Sequence, residues 1–204
     1  MSWVRILVDG YVKFLKCAAK PDQLIATSTT TLIEDSGFRV VIDPGMDKRR
    51  LLRALKDEGL GVEDINYVGL THHHPDHCAL SSMFTNARIV DWKWVYSWDG
   101  SMRKHTGVVP NTRIRILETL GHSFEDCSFI VRDKKLGVVA IVGDLWWWDE
   151  GSRQVTTRAE LLKHPDPYSA DITRLRESRK LILSIADYVI PGHGKAFSIE
   201  PNTQ

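Results

Sequence analysis

Apolar positions in this chain come in short runs separated by turn-forming residues. WVRILV, TTTLIE and FRVVID open the sequence and are rich in β-branched side chains. The last two flank DSG, which predicts a hairpin. From Lys48 the period changes: Leu51, Leu52 and Leu55 recur at helical spacing among Arg49, Arg50, Arg53 and Lys56. This predicts an amphipathic helix to about Glu58, ended by Gly59 and Gly61. INYVGL reads as a buried strand running straight into the polar THHHPDH, CALSSMF as a short helix and ARIVDW as a further strand. A second β-rich set follows in TRIRILET, CSFIVRD and GVVAIVGD, with DKKLG as a turn between the last two. A helical stretch from about Tyr168 to Ile185 then leads into DYVIPGHG, a strand and loop. The polar stretch from Asp149 to Asp166 reads as irregular, a candidate lid.

Each half therefore gives strands first, with a helix and a terminal strand afterwards. That order predicts an α/β fold of two mixed sheets packed face to face with helices outside, an αββα four-layer sandwich of pseudo-repeated halves. Loops that follow strands in both halves would converge along one edge. No linker rich in Gly, Pro or Ser interrupts the chain, so residues 1–204 are expected to form a single domain.

Composition narrows the partners. With 43% hydrophobic and 26% charged residues and a net charge of +1, nothing advertises a nucleic-acid or membrane surface. The basic residues of the Lys48 helix read as its solvated face. The opening MSWVRILVDGYVKF lacks the marks of a secretory signal, and no apolar run approaches the length of a membrane span. The expected location is cytoplasmic. Cys17, Cys78 and Cys127 are odd in number and unpaired in spacing, which argues against a disulfide framework. Cys78 and Cys127 stand where small buried apolar side chains would go.

The chemistry begins with THHHPDH. It puts four of the eight histidines into seven residues and gives the pattern H-x-H-x-D-H with His72, His74, Asp76 and His77. Alternation sends His73 away from its neighbours. Pro75 disfavours helix at His74, so the chain must turn before Asp76 and His77. Three later loops, each directly after a β-rich run and each with a glycine beside the polar residue, supply His122, Asp144 and His193. Such a set suits two cations better than one. His72, His74 and His122 would hold the first, Asp76, His77 and His193 the second, and Asp144 would bridge them. Imidazole and carboxylate ligands without thiolate fit zinc, and also iron or manganese.

Taken together, VVIDPG with Asp43, THHHPDH, LGHS, VGD and PGHG resemble, in order, the markers of the metallo-β-lactamase fold superfamily. The tail, VGDLWWWDEGS followed by ESRKLILSIADYVIPGHGKAF, is similar to the small metallo-β-lactamase-domain-containing-protein-1 group. The resemblance implies the same sandwich, a dinuclear site at the sheet edge, and Asp43 orienting a ligand histidine from behind. Class B1 and B2 β-lactamases place Cys where this chain has Asp144, and flavodiiron proteins place Glu where it has His74. What remains is a compact hydrolase in which a metal-bridging hydroxide attacks a small ester, thioester or lactone. Asp76 would hold the second metal and take a proton from the attacking water. The alternatives are a metal-dependent RNA endonuclease and a β-lactamase-like side activity. Trp146, Trp147 and Trp148 follow Asp144 closely enough to line the substrate pocket. Exposed tryptophan loops leave room for a homodimer.

Overall fold

The structure, a computed structural model, describes residues 2–14 and 24–200, so Cys17 lies outside the described residues. Its elements are β1 (Trp3–Val8), β2 (Tyr11–Phe14), β3 (Leu24–Thr27), β4 (Thr30–Asp35), β5 (Phe38–Ile42), α1 (Lys48–Asp57), β6 (Tyr67–Gly69), α2 (Pro75–Cys78), β7 (Arg88–Val90), β8 (Trp94–Tyr96), β9 (Met102–Lys104), β10 (Arg115–Glu118), β11 (Cys127–Asp133), β12 (Gly137–Ile141), α3 (Arg158–Lys163), α4 (Ile172–Ile185), β13 (Tyr188–Ile190) and β14 (Phe197–Ser198). One sheet runs β1-β4-β5-β6-β7-β8-β9, the other β10-β11-β12-β13-β14, and β2 pairs with β3 apart from both.

Strands buried on both faces explain the layering. Along β4 and β5, Ile33, Val40 and Ile42 point into the space between the sheets, where they meet Phe129 and Val131 of β11 and Val139 and Ile141 of β12. Their neighbours Leu32 and Val41 point the other way, onto Leu51 and Leu55 of α1. In the second sheet Ile130 and Ala140 face outward onto Leu175, Ile182 and Leu183 of α4. Three apolar layers thus separate helix, sheet, sheet and helix, which is the αββα sandwich. Alternation along the strand has period two, so a one-residue slip would exchange the layers.

The DSG hairpin forms as the sequence predicts. Ser36 at φ 54 and Gly37 at φ 82 both adopt the left-handed backbone that a tight right-twisting hairpin requires. The structure corrects four other expectations. Pro75 starts a helical turn over Pro75–Cys78, and CALSSMF carries only a short 3-10 turn at Ser81–Met83. The long helix starts at Ile172, because the Asp171 side chain accepts from the amides of Thr173 and Arg174 and caps it there. The stretch expected to be irregular contains α3, whose Leu161 is fully buried. Finally, β8 and β9 extend the first sheet beyond the strands expected from sequence. Among the described residues no helix is long and apolar enough to cross a membrane.

One buried carboxylate fastens the first sheet to the second. Asp35, at the end of β4, accepts from Ser2 Oγ at 2.6 Å, from the Arg113 amide at 2.7 Å and from Arg113 Nε at 3.0 Å, just before β10. Burial alone would raise its pKa, but the hydrogen bonds from Arg113 and Ser2 outweigh that and hold it well below the usual carboxylate range. A depressed folded-state pKa stabilises above the unfolded value and the contribution fades as pH falls below it. Asp35→Asn should therefore lower stability at pH 7 by about 1–3 kcal/mol. The gap to the wild type should narrow below pH 3.8, the ordinary carboxylate value. Chemical denaturation at pH 7 and pH 3 measures both, and a gap that stays constant would contradict the linkage.

Candidate metal centre

All the polar loops identified from sequence meet at one edge of the sandwich. Backbone hydrogen bonds stitch them together: Ser28 N to Asp76 O at 2.8 Å, Thr29 N to Gly192 O at 2.7 Å and Gly192 N to Gly143 O at 2.7 Å. His74 is extended, at φ −64 and ψ 142, and caps α2, whose first residue is Pro75. His74 therefore lies on extended backbone, while Asp76 and His77 lie on the helical turn. His73 turns outward and pairs with Glu125 at 3.1 Å and Asp91 at 3.4 Å, as alternation requires.

Glycines permit this crowding. Gly143 sits at φ 52, and a Cβ there would come within 2.3 Å of Thr71 Oγ1. At Gly192 a Cβ would lie 2.0 Å from Asp144 Oδ1. No other residue fits either place without moving the site.

The side chains form two sets. His72, His74, His122 and Asp144 bring ligand atoms within 4.8 Å of one another, and so do Asp76, His77 and His193. His72 Nε2 lies 3.0 Å and His122 Nε2 3.1 Å from His74 Nδ1. His193 Nε2 lies 3.1 Å from Asp76 Oδ2. Asp144 divides its two oxygens between the sets. Oδ2 is 3.5 Å from His122 Nε2, whereas Oδ1 is 3.2 Å from His77 Nε2 and 3.5 Å from His193 Nε2.

Four of the five histidines, all but His74, are oriented from behind. His122 Nδ1 meets Asp166 Oδ2 at 2.8 Å, His77 Nδ1 meets Asp43 Oδ2 at 2.8 Å, and His193 Nδ1 meets the Thr27 carbonyl at 3.1 Å. These oxygens can only accept, so each Nδ1 must donate and each Nε2 is turned toward the site. His72 Nδ1 faces Thr71 Oγ1 at 3.1 Å, and that hydroxyl donates its own proton to Asp43 Oδ2 at 2.7 Å. It too can only accept from the imidazole.

Electrostatics follow from the same contacts. Burial, reinforced by the charge on His77, pushes His72 well down toward neutrality, and burial with His122 pushes His74 down. For Asp76 burial is outweighed by the hydrogen bond from His193, and for Asp144 by the charges on His77 and His193, so both stay ionised. His77 is raised because the Asp144 and Asp43 carboxylates outweigh its burial. Two polar atoms deep in the cluster, His77 Nε2 and Asp144 Oδ1, are buried without a hydrogen-bond partner. Such atoms are costly to leave unpaired, and a shared cation satisfies both. Nitrogen and oxygen ligands tetrahedrally arranged around zinc stand roughly 3.4 Å apart, and the donor distances here run from 3.0 Å to 4.0 Å around that value. The donor set fits divalent metal.

The site opens onto a cleft of about 970 Å³ with His74, Asp76, His122, Asp144 and His193 on its floor. The tryptophan triplet divides. Trp147 lines the cleft, but Trp146 is fully buried against Phe197 and Trp148 packs on Phe197 and His164. Trp146 and Trp148 belong to the core because Trp146 Nε1 donates to the Leu161 carbonyl, under α3. Cys127 is buried and donates to the Leu70 carbonyl, and Cys78 donates to the His73 carbonyl. Neither joins the ligand sets. Sequence reasoning missed Asp166 and the apolar wall supplied by Phe14, Leu24, Ile25 and Met46. Asp166 carries no local mark, since its partner His122 is 44 residues away.

The chain is similar to known proteins in sequence and in fold. The family described as the metallo-β-lactamase superfamily matches residues 26–195. The metallo-β-lactamase domain-containing protein 1 of Xenopus laevis is 30% identical, with 96% of this chain and 81% of that protein covered. An uncharacterized Caenorhabditis elegans protein is 29% identical over 85% of this chain, but this chain spans only 49% of its length. Among solved structures, a Thermotoga maritima protein assigned to the metallo-β-lactamases has a TM-score of 0.73 at 20% identity, covering 97% of this chain and 99% of that one. AidC, a dizinc quorum-quenching lactonase, has a TM-score of 0.61 at 15% identity, covering 94% and 86%.

The orienting role of Asp43 is open to measurement. Asp43→Asn removes the acceptor behind His77 without touching a ligand atom. It should weaken metal binding by about 10–100-fold in competition with a chelating dye. Gly192→Ala should lose metal as well, since its new methyl would displace Asp144. Wild-type affinity in both variants would refute this account of the site.

Proposed function

Because the chain belongs to the metallo-β-lactamase superfamily, we propose that it is a hydrolase, a dinuclear, zinc-dependent enzyme. In this reading it cleaves small esters, thioesters or lactones that carry an apolar arm. The observation that carries this reading is the make-up of the cleft. Its floor is the histidine and carboxylate cluster, and its wall is Phe14, Leu24, Ile25, Met46, Trp147 and Tyr168. Several of these are large apolar side chains left in solvent, Leu24 at 54% and Met46 at 54% exposure, which a bound acyl chain would cover. Among the described residues that line the cleft, Lys48 is the one lysine or arginine. Recognition of RNA depends on several phosphate contacts from such residues, so the cleft favours a small apolar substrate over RNA.

Bound divalent cations would supply Lewis acidity for the substrate carbonyl and acidify the attacking water. The remaining work falls to the chain. His72, His74 and His122 would hold one cation, and Asp76, His77 and His193 the other. Asp144 would span the pair with one oxygen toward each. Asp76, kept ionised beside His193, would take the proton from water as its oxygen adds to the acyl carbon. It would return that proton to the leaving oxygen or sulfur when the C–O or C–S bond breaks. The wall would hold the acyl arm and exclude water from the floor.

The test is metal analysis and a substrate panel on the purified chain. Two equivalents of zinc are expected. Within an ester or lactone series, kcat/KM should rise about three- to fourfold per methylene, as each CH₂ leaves water. Asp144→Ala should abolish turnover and metal retention together. A chain that takes up no metal, or that cleaves RNA in a salt-sensitive manner and none of the esters, would sink the proposal.

A further inference from the structure

Asp166 lies in the turn between α3 and α4, fully buried at its side chain, and its two oxygens serve different parts of the molecule. Oδ2 accepts from His122 Nδ1 at 2.8 Å. Oδ1 accepts from Trp147 Nε1 at 3.3 Å and from the Tyr168 amide at 3.0 Å. Trp147 and Tyr168 stack with ring centroids 5.8 Å apart and together line the cleft above His122. A carboxylate needed only to close its own turn would use the Tyr168 amide and leave the other oxygen to water. Here that oxygen is spent on an imidazole whose Nε2 faces the metal cluster.

The surroundings keep this carboxylate where it is. Ala170 N donates to the His122 carbonyl at 3.0 Å and Asp171 N to the Gly121 carbonyl at 3.0 Å, so the turn is laced to the His122 loop. Arg179 of α4 reaches from inside, donating Nε to the Leu145 carbonyl at 2.8 Å and Nη1 to the His164 carbonyl at 2.5 Å. It thereby clamps the segment after Asp144 to the segment before Asp166.

We propose that Asp166 is a positioning residue that ties His122 to the Trp147–Tyr168 wall, so that one ligand imidazole and the substrate-facing side of the cleft are held by a single carboxylate. The proposal rests on the reading above, in which His122 holds one of two metals. It adds a coupling that the ligand set alone does not contain. A change in the wall must be felt at one metal position and not at the other, because His77 and His193 take their support from Asp43 and Thr27 instead.

The experiment titrates the metal-free chain with zinc against a chromophoric chelator, for the wild type, Asp166→Asn and Trp147→Phe. In Asp166→Asn the amide can no longer accept on both sides, and one of the two zinc ions should bind about 10–100-fold more weakly while the other is unchanged. Trp147→Phe touches no ligand; it removes the indole donor and trims the ring, and it should weaken the same ion at least about twofold, the loss expected when one hydrogen bond of the network goes. General loosening of the fold would weaken both ions alike. Wild-type affinity in either folded variant, or an equal loss of both ions, overturns the proposal. Should circular dichroism show Asp166→Asn unfolded, Trp147→Phe alone decides. A wild-type chain that binds no zinc would instead overturn the proposed function, a result separable from failure of the coupling.

Discussion

The buried carboxylate of Asp43 fixes more of this molecule than any other single group. It follows β5 with φ 48, a left-handed backbone that costs a residue with a side chain on the order of 1 kcal/mol. Its own amide donates to the Gly69 carbonyl at 2.9 Å, and its carboxylate accepts from the Thr71 amide at 2.8 Å, from Thr71 Oγ1 and from His77 Nδ1. An ionised carboxylate can only accept, so the direction of every proton beyond it is forced. Thr71 must give its hydroxyl proton to Asp43 and can only accept from His72. His77 must put its proton on Nδ1. One acid thus aims two imidazoles at one point and pins the strand that carries them. The backbone strain is repaid locally, in three hydrogen bonds.

The same logic recurs at His193, through the Thr27 carbonyl, and at His122, through Asp166. Its consequence is crowding on the other side of the rings. Nitrogens from His72 and His122 each lie near 3 Å from His74 Nδ1, and the Asp144 carboxylate presses in beside them. Without a cation, the carboxylates draw His77 and His122 toward the protonated form against the effect of burial, while His72 and His74 are driven neutral. A cluster with such opposed tendencies is poised to exchange protons for a metal, the usual coupling at a site whose ligands must be deprotonated.

Why was so much of the centre legible in the sequence, and the rest not? The residues that cluster were legible because each is written locally. A strand ends, a glycine releases the backbone, and one polar residue follows; in THHHPDH the proline sets where extended chain gives way to helix. Asp43 was reached only through the family resemblance. Asp166, Thr27 and the Phe14–Met46 wall were not legible, since their roles come from partners distant in sequence. The tryptophan triplet shows the limit of proximity along the chain. Adjacent extended residues point to opposite sides, so of three rings following Asp144 only Trp147 faces the cleft. The helix expected at CALSSMF failed for a related reason: Pro75 is favoured at a first helical position, and that start was already taken by the ligand turn.

The two halves of the sandwich contribute unequally but jointly. The edge after β6 gives His72, His74, Asp76 and His77, and the second sheet gives His122, Asp144 and His193. Each ligand set takes members from both sheets, and Asp144 reaches into both sets. Neither set exists until the sheets have packed face to face, so any affinity for metal is also affinity for the packed sandwich. By mass action an ion present at 100 times its dissociation constant would add about 2.7 kcal/mol to folding. The apolar layer between the sheets and the polar cluster at their edge are therefore not separate achievements of the sequence. The first brings the ligand loops within reach, and the second closes the edge where the first gives out.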